Sequence, residues 1–209
     1  MLPVRVFFKK LGYGVYFSHL DLQRAVFRAI NRSCLDAVYT SGFNPHIKAS
    51  FAAPLSLYQK SLYEVFDFYL VEDRNYDEIA ETLKSSFPPG LEVFKAAPPK
   101  HPFSSLYAAD YEMTFKLVSM LEDLEKSLSG SMIIEKKTKK GGSEVDISRL
   151  IYSKSLSLSP SGAKLEMRCA CGGNLHLNAR HVEEFLKDKI TGCEITRLSL
   201  LTRNGLLFE

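Results

Sequence analysis

Several absences narrow what this 209-residue chain can be before any of its residues suggests a reaction. No stretch reaches the roughly 18–20 consecutive apolar residues that a membrane-spanning helix needs, and the opening MLPVRVFFKK lacks the layout of a signal peptide. The expectation is a cytoplasmic protein with no membrane partner. Four cysteines, irregularly placed, are too few for a disulfide framework in a chain of this size and suit reduced thiols. A net charge of +3 is too small to establish nucleic-acid binding, so local clusters matter more than the sum. There is no Gly-x-Gly-x-x-Gly or Walker-type phosphate loop and no Gly-x-Ser-x-Gly elbow. A self-contained nucleotide-driven enzyme or a serine hydrolase is therefore not expected. Metal-ligand spacing is also missing. Cys169-Ala-Cys171 puts two thiols on one face of a strand, but no second pair completes a zinc set, and buried thiols are the expectation.

What the chain does have is a dense run of polar chemistry at residues 18–48. Ser18 is a suitable N-cap with Asp21 three residues on, a capping-box-like start with a shortened carboxylate. The helix it opens should run to about Ser33. At about 100° per residue, Leu22, Ala25, Val26, Ala29 and Ile30 form a core stripe. Asp21, Arg24, Arg28, Asn31 and Arg32 fall on the opposite side, with Leu20 and Phe27 on the flank. Arginines at i, i+4 and i+8 are commonly a solvated face, yet they repel one another and their spacing also suits a phosphate or other polyanion.

The helix leads into Ser41-Gly42-Phe43-Asn44-Pro45-His46-Ile47-Lys48. Gly42 permits backbone that other residues resist, Pro45 fixes φ, and Asn44 can build an Asx-type turn. His46 and Lys48 then stand at the end of a rigid turn, where a histidine can act as acid, base or anion contact. Phe43 can stack on a base, although a loop phenylalanine more often plugs a core. His19, in the first helical turn, reads as a partly buried structural residue that could still meet His46 if the loop folds back. Glu64 and Asp67 occupy the next long strand and point to opposite faces, so at most one can face the loop. A second basic cluster, Lys136, Lys137, Lys139 and Lys140 before Gly141-Gly142, reads as a solvated hairpin tip.

The order of elements suggests an α+β fold of two tandem ferredoxin-like β-α-β-β-α-β units, the second more irregular. Residues 1–97 would form the first, 98–106 a proline-rich linker and 107–209 the second. In the first, strands are expected at Val4–Phe8, near 49–57, Leu62–Val71 and Leu91–Phe94, with helices at 18–33 and Asn75–Phe87. In the second, strands at Tyr111–Val118, Met132–Thr138, Lys164–Cys171 and Glu194–Thr202 alternate with helices at Leu121–Leu128 and Ala179–Ile190. Such folds host many functions, so the layout decides nothing about activity.

The run Tyr16-Phe17-Ser18-His19-Leu20-Asp21-Leu22-Gln23-Arg24, followed by residues 41–48, resembles a radical-SAM-associated domain of unknown function. Members of that family are encoded beside radical SAM proteins or fused to their C-termini. Ser50-Phe51-Ala52-Ala53-Pro54-Leu55, then Ser61, Glu64 and Asp67, also fit its pattern, as does Val145-Asp146-Ile147 more weakly. The chain departs at Tyr58, where the family tends to have glycine. The resemblance implies a partner that cleaves S-adenosylmethionine with an iron–sulfur cluster, while this chain lacks the three-cysteine motif and carries no cofactor of its own. The layout is also similar to that of tandem ferredoxin-like RNA-processing proteins of CRISPR systems.

Two functional classes, with a third beside them, follow as expectations. The first is an accessory RNA-binding module, for a structured RNA such as tRNA, in which Arg24, Arg28, Arg32 and Lys48 hold phosphates while Ser41, Gly42, Phe43, Asn44, His46 and Glu64 shape a pocket. The second is an enzyme in which His19, Asp21 and His46 act as acid–base groups on RNA or a small anion. A partner-docking scaffold using Phe27 and the helix flank is the third.

Overall fold

Alternation along the first strand already divides the N-terminal sheet into two faces. In β1 (Leu2–Lys10), Val4, Val6 and Phe8 point one way and Arg5 and Phe7 the other, and all five are buried. The computed structural model describes residues 1–138, 141–159, 162–173 and 175–209. The chain forms two compact units, Met1–Ser105 with Leu207–Glu209, and Leu106–Leu206. It is a mixed α+β protein with four α-helices and eleven strands among the described residues, and the pairings within each unit are antiparallel.

In the first unit, β1 is followed by α1 (His19–Arg32), β2 (Ala49–Phe51), β3 (Lys60–Leu70), α2 (Tyr76–Ser86) and β4 (Leu91–Ala97). The strands lie in the order β4-β1-β3-β2. Val4, Val6 and Phe8 join Phe66, Phe68 and Leu70 of β3 in a core with Leu22, Val26 and Ile30 of α1 and Ile79 and Leu83 of α2. Full burial of each such side chain contributes about 1.5–3 kcal/mol, so this stripe fixes where α1 lies. α2 starts at Asn75, whose side chain accepts the Asp77 N–H, and stops before Pro88-Pro89-Gly90. There Gly90, at φ +91°, accepts the Leu11 N–H at 2.8 Å, and a Cβ on Gly14 would stand 2.3 Å from the Gly90 carbonyl oxygen. Both glycines are required for the turn before β4 to touch the segment before α1.

The opposite face of this sheet is built around a buried charge. Arg5 is 1% exposed, and its Nε and Nη2 each donate to a separate oxygen of Asp67 at 2.7 Å. Its guanidinium lies 4.4 Å from the ring centre of Phe208 and 5.1 Å from that of Phe103. The proline-rich segment expected as a linker is tied down. The backbone N–H groups of Lys100 and His101 donate to the Glu209 carbonyl oxygen, and the side chains of Lys95 and Lys100 donate to its carboxylate.

The second unit runs β5 (Leu106–Leu117), α3 (Leu121–Ser129), β6 (Ile133–Thr138), β7 (Gly141–Asp146), β8 (Ile151–Ser159), β9 (Gly162–Gly172), β10 (Leu175–His176), α4 (Arg180–Leu186) and β11 (Ile190–Thr202). Strand β5 lies between β9 and β11, while β8 and β10 pair with β9 and β6 pairs with β7. Tyr111, Met113 and Phe115 are buried, while Asp110, on the other side of β5, takes two hydrogen bonds from Arg168 and one from Ser199. Cys169 and Cys171 are buried thiols outside any disulfide among the described residues, and burial pushes the Cys169 thiol up to about 12. Of the second basic cluster, Lys139 and Lys140 lie outside the described residues, as do the side chains of Lys136 and Lys137.

The two lysines beside Glu209 hold its carboxyl at about 2, below its ordinary 4.5. A group depressed in this way contributes stability above its unfolded value and loses it as pH falls through the folded one. Acid titration of stability should therefore show a loss beginning near pH 4.5 and extending toward pH 2. Glu209→Gln should remove that component, which urea unfolding at stepped pH would measure.

Candidate functional site

The capping box anticipated at the start of α1 is complete. Ser18 Oγ accepts the Asp21 N–H at 3.2 Å, and Asp21 Oδ2 accepts both the Ser18 N–H and its hydroxyl. The Ser18 hydroxyl holds the Asp21 carboxyl below the ordinary carboxylate range, with Arg24, 3.7 Å away, adding to the effect. Asp21 is therefore ionised near neutral pH.

Because Leu22, Val26, Ala29 and Ile30 are buried, the remaining side chains of α1 separate onto two flanks. On one, Asp21, Arg24, Arg28 and Arg32 line an open groove of about 430 Å³ whose other walls are Phe17, Ala25 and Pro88. Arg32 is anchored by donating from Nη2 to the Ser86 carbonyl oxygen at 2.7 Å, which ties the end of α1 to the end of α2. Arg28 has no ion pair among the described residues, so its guanidinium is available to a ligand.

On the other flank, residues 39–47 fold against the helix. The excursion is closed by a bridge between Tyr39 and Ile47, by the Thr40 N–H donating to the His46 carbonyl at 2.8 Å, and by the His46 N–H donating to Thr40 Oγ1. Tyr39 donates its hydroxyl to Asn31 of α1 at 2.8 Å. His46 Nδ1 lies 3.2 Å from Thr40 Oγ1 and 3.3 Å from the Asn44 carbonyl oxygen. A carbonyl can only accept, so the arrangement favours the Nδ1–H tautomer and leaves Nε2 as an acceptor.

The motif histidines meet one aromatic block without meeting each other. His19 packs edge-on to Phe51 at 5.8 Å between ring centres, Phe51 packs on Phe27 at 6.4 Å, and Phe27 packs on His46 at 6.4 Å. His19 Nδ1 is buried with no hydrogen-bond partner among the described residues. No hydrogen bond or ion pair among the described residues joins His19, Asp21 and His46.

Several expectations change in detail. Phe43 does not plug a core: it is fully exposed at the loop tip, next to exposed Ser41, Gly42 and Asn44. Gly42, at φ +131°, has the positive dihedral the loop needs, but Asn44 makes no side-chain hydrogen bond among the described residues, and Thr40 rather than an Asx turn holds the shape. Lys48 places its ammonium 4.9 Å from the Tyr69 ring centre, at the base of the loop. Glu64 is buried at 2% exposure, on the same side of β3 as Phe66 and Phe68. Phe17 and Pro88, which wall the groove, carry no local sequence signal because their place depends on how the turn at Gly90 meets the segment at Gly14. In the second unit, Asp146 accepts the N–H groups of Met132 and Ser148, joining the two ends of the β6–β7 hairpin.

With this geometry in view, the chain belongs to the family described as "Uncharacterized protein conserved in bacteria (DUF2344)", which it matches over residues 4–179. No curated protein matches it. Among solved structures it is similar to one described as an unknown protein from Galdieria sulphuraria. That likeness has 11% identity over 94% of this chain and 96% of the other, with a TM-score of 0.27, and it carries no argument about fold or function.

Two outcomes are expected for the local framework. Ser18→Ala should cost about 1 kcal/mol of stability and let Asp21 titrate closer to its ordinary range, readable by denaturation and carboxyl NMR. Tyr58 has a left-handed φ of +63° and packs its ring edge-on to Tyr16 at 5.9 Å. Both Tyr58→Ala and Tyr58→Gly lose the ring contact, but only alanine retains the strained Cβ. The glycine variant should melt higher, by up to about 1 kcal/mol of stability.

Proposed function

We propose that this chain is an accessory RNA-binding module, with tRNA one structured RNA it could present, working beside a radical SAM protein. The observation that carries the reading is the alignment of Arg24, Arg28 and Arg32 along one open groove, with Arg28 unpaired among the described residues. Guanidinium groups in that array bind phosphate oxygens in pairs, and a row of them is suited to a polyanion. Phe43, exposed at the tip of a tied loop, offers a stacking face on the other flank of α1, and His46 of the same loop offers an acceptor nitrogen.

The fold belongs to the same proposal. Each unit is a ferredoxin-like fold, the second enlarged by the β6–β7 hairpin. The order β4-β1-β3-β2 in the first unit and the path from β11 through β5 and β9 to β8 in the second support this. The link to a radical SAM partner rests on the resemblance of residues 16–67 and 145–147. S-adenosylmethionine and the iron–sulfur cluster would belong to that partner.

The enzymatic reading, with His19, Asp21 and His46 as acid–base groups, has less support. Asp21 is committed to the helix cap and held ionised, and the two histidines are separated by Phe51 and Phe27. Docking through Phe27 also has less support, since His46 and Phe51 pack against that ring.

Binding of a structured RNA should weaken steeply with salt, and Arg24→Ala/Arg28→Ala should reduce the slope of log K against log salt by about 1.4–1.8. Fluorescence anisotropy across a salt series reads both quantities. A wild-type protein that binds no RNA at low salt would sink the proposal.

A further inference from the structure

The arginine groove shares one wall residue with a neighbouring groove. That residue, Pro88, is also part of a second open groove, of about 730 Å³, that follows the Pro88–Pro89–Gly90 turn onto the end of the first unit's sheet. Lys84 of α2 and Lys9 of β1 line this continuation, together with Glu92. Along the combined strip, five cations (Arg24, Arg28, Arg32, Lys84 and Lys9) face two carboxylates, Asp21 and Glu92. That excess equals the +3 of the whole chain, so charge elsewhere balances. Glu81 pairs with Lys84 at 3.4 Å from outside the lining, but both side chains are exposed and such pairs are weak and exchangeable.

From this we infer that the strip is the track of a single RNA strand. The strand would pass along α1 over Arg24, Arg28 and Arg32, turn at Pro88 and continue past Lys84 to Lys9. The inference rests on the RNA-binding reading and narrows its ligand from any polyanion to a strand several nucleotides long. Arg24, Arg28 and Arg32 each rise about 6 Å along the helix from the one before, so they address successive phosphates rather than one terminal phosphate group. The bend at Pro88 suits a flexible single strand better than a stiff duplex. Beyond the bend the lining includes Phe87, Pro89 and Phe94, and Phe94 is 45% exposed, which gives unstacked bases an apolar surface.

The test compares oligouridylates of about 4 and about 16 nucleotides by anisotropy over a salt series. It uses the wild type, Lys9→Ala/Lys84→Ala and Lys84→Glu, with Arg24→Ala/Arg28→Ala for comparison and circular dichroism as a folding check. Wild type should bind the long oligomer more tightly and with the steeper slope. The lysine double variant should lose affinity for the long oligomer, with a slope lower by about 1.4, and keep wild-type affinity for the short one. Lys84→Glu, a single exposed change, should act in the same direction. If both variants bind the long oligomer as wild type does while Arg24→Ala/Arg28→Ala does not, the track ends at the arginines and the inference fails while the RNA reading stands. Equal wild-type affinity for the two lengths also overturns it. Binding of neither oligomer by wild type, with structured RNA bound normally, removes the single-strand track alone; binding of no RNA removes both.

Discussion

Everything proposed for this molecule depends on how α1 is seated. Leu22, Val26, Ala29 and Ile30 are withdrawn from water against the face of the sheet that carries Val6, Phe8 and Phe66. Four buried aliphatic or small side chains on one helix leave little freedom to rotate about its axis, since a turn of one residue would expose the stripe and bury an arginine. The arginine groove on one flank and the His46 loop on the other are consequences of that seating. The arginines need no further device to aim them outward, whereas the loop needs several: Thr40, the Tyr39–Ile47 bridge, the Tyr39–Asn31 hydrogen bond and the Phe27–Phe51 pair.

The other face of the same sheet solves a harder problem. A buried guanidinium is costly unless paired, and Arg5 meets that cost with a two-point bond to Asp67 and with aromatic faces from Phe103 and Phe208. One nitrogen, Nη1, has no hydrogen-bond partner among the described residues. Such a pair contributes less to net stability than its geometry suggests, because desolvation offsets much of the attraction; breaking it by removing one partner is what would be expensive. Its consequence is organisational. The pair gathers residues 98–105 and 207–209 onto the sheet, where Glu209 then collects Lys95, Lys100 and two backbone N–H groups.

How much of this could be read beforehand depends on the distance over which each feature is encoded. The extent of α1, its cap and its buried stripe follow from spacing within fourteen residues, and they were legible. The opposite directions of Glu64 and Asp67 followed from the two-residue period, though not that Glu64 would be buried. The exposure of Phe43 ran against residue preference, because the core was already filled by Phe51, Phe66 and Phe68 and the bridge at Tyr39 holds the tip away. Arg5 and Asp67 are 62 residues apart, and Phe208 is further still, so no local pattern could pair them. The groove wall at Pro88 depends on two glycines, Gly14 and Gly90, meeting across the unit, and only a fold brings them together. Tyr58 is a different case: the left-handed turn is kept although the side chain disfavours it, with the hydrogen bond from its N–H to the Val15 carbonyl and the ring contact with Tyr16 among the interactions there.

The three arginines of the groove also differ in their electrostatic surroundings. Asp21 is ionised and sits at the N-terminal end of α1, beside Arg24, so the attraction of that arginine for an anion is partly spent within the protein. Arg28 has no such neighbour among the described residues, and Arg32, although it donates to a carbonyl, keeps its full charge. Of the three arginines, Arg24 is therefore the one whose charge a neighbouring carboxylate offsets. At physiological salt, screening over about 8 Å leaves each site to be felt mainly through its neighbours, so this local pairing matters more than the charge of the rest of the molecule. The capping box thus has two effects from one carboxylate. It starts the helix that carries the arginines, and it offsets part of the positive charge at the Arg24 end of the groove.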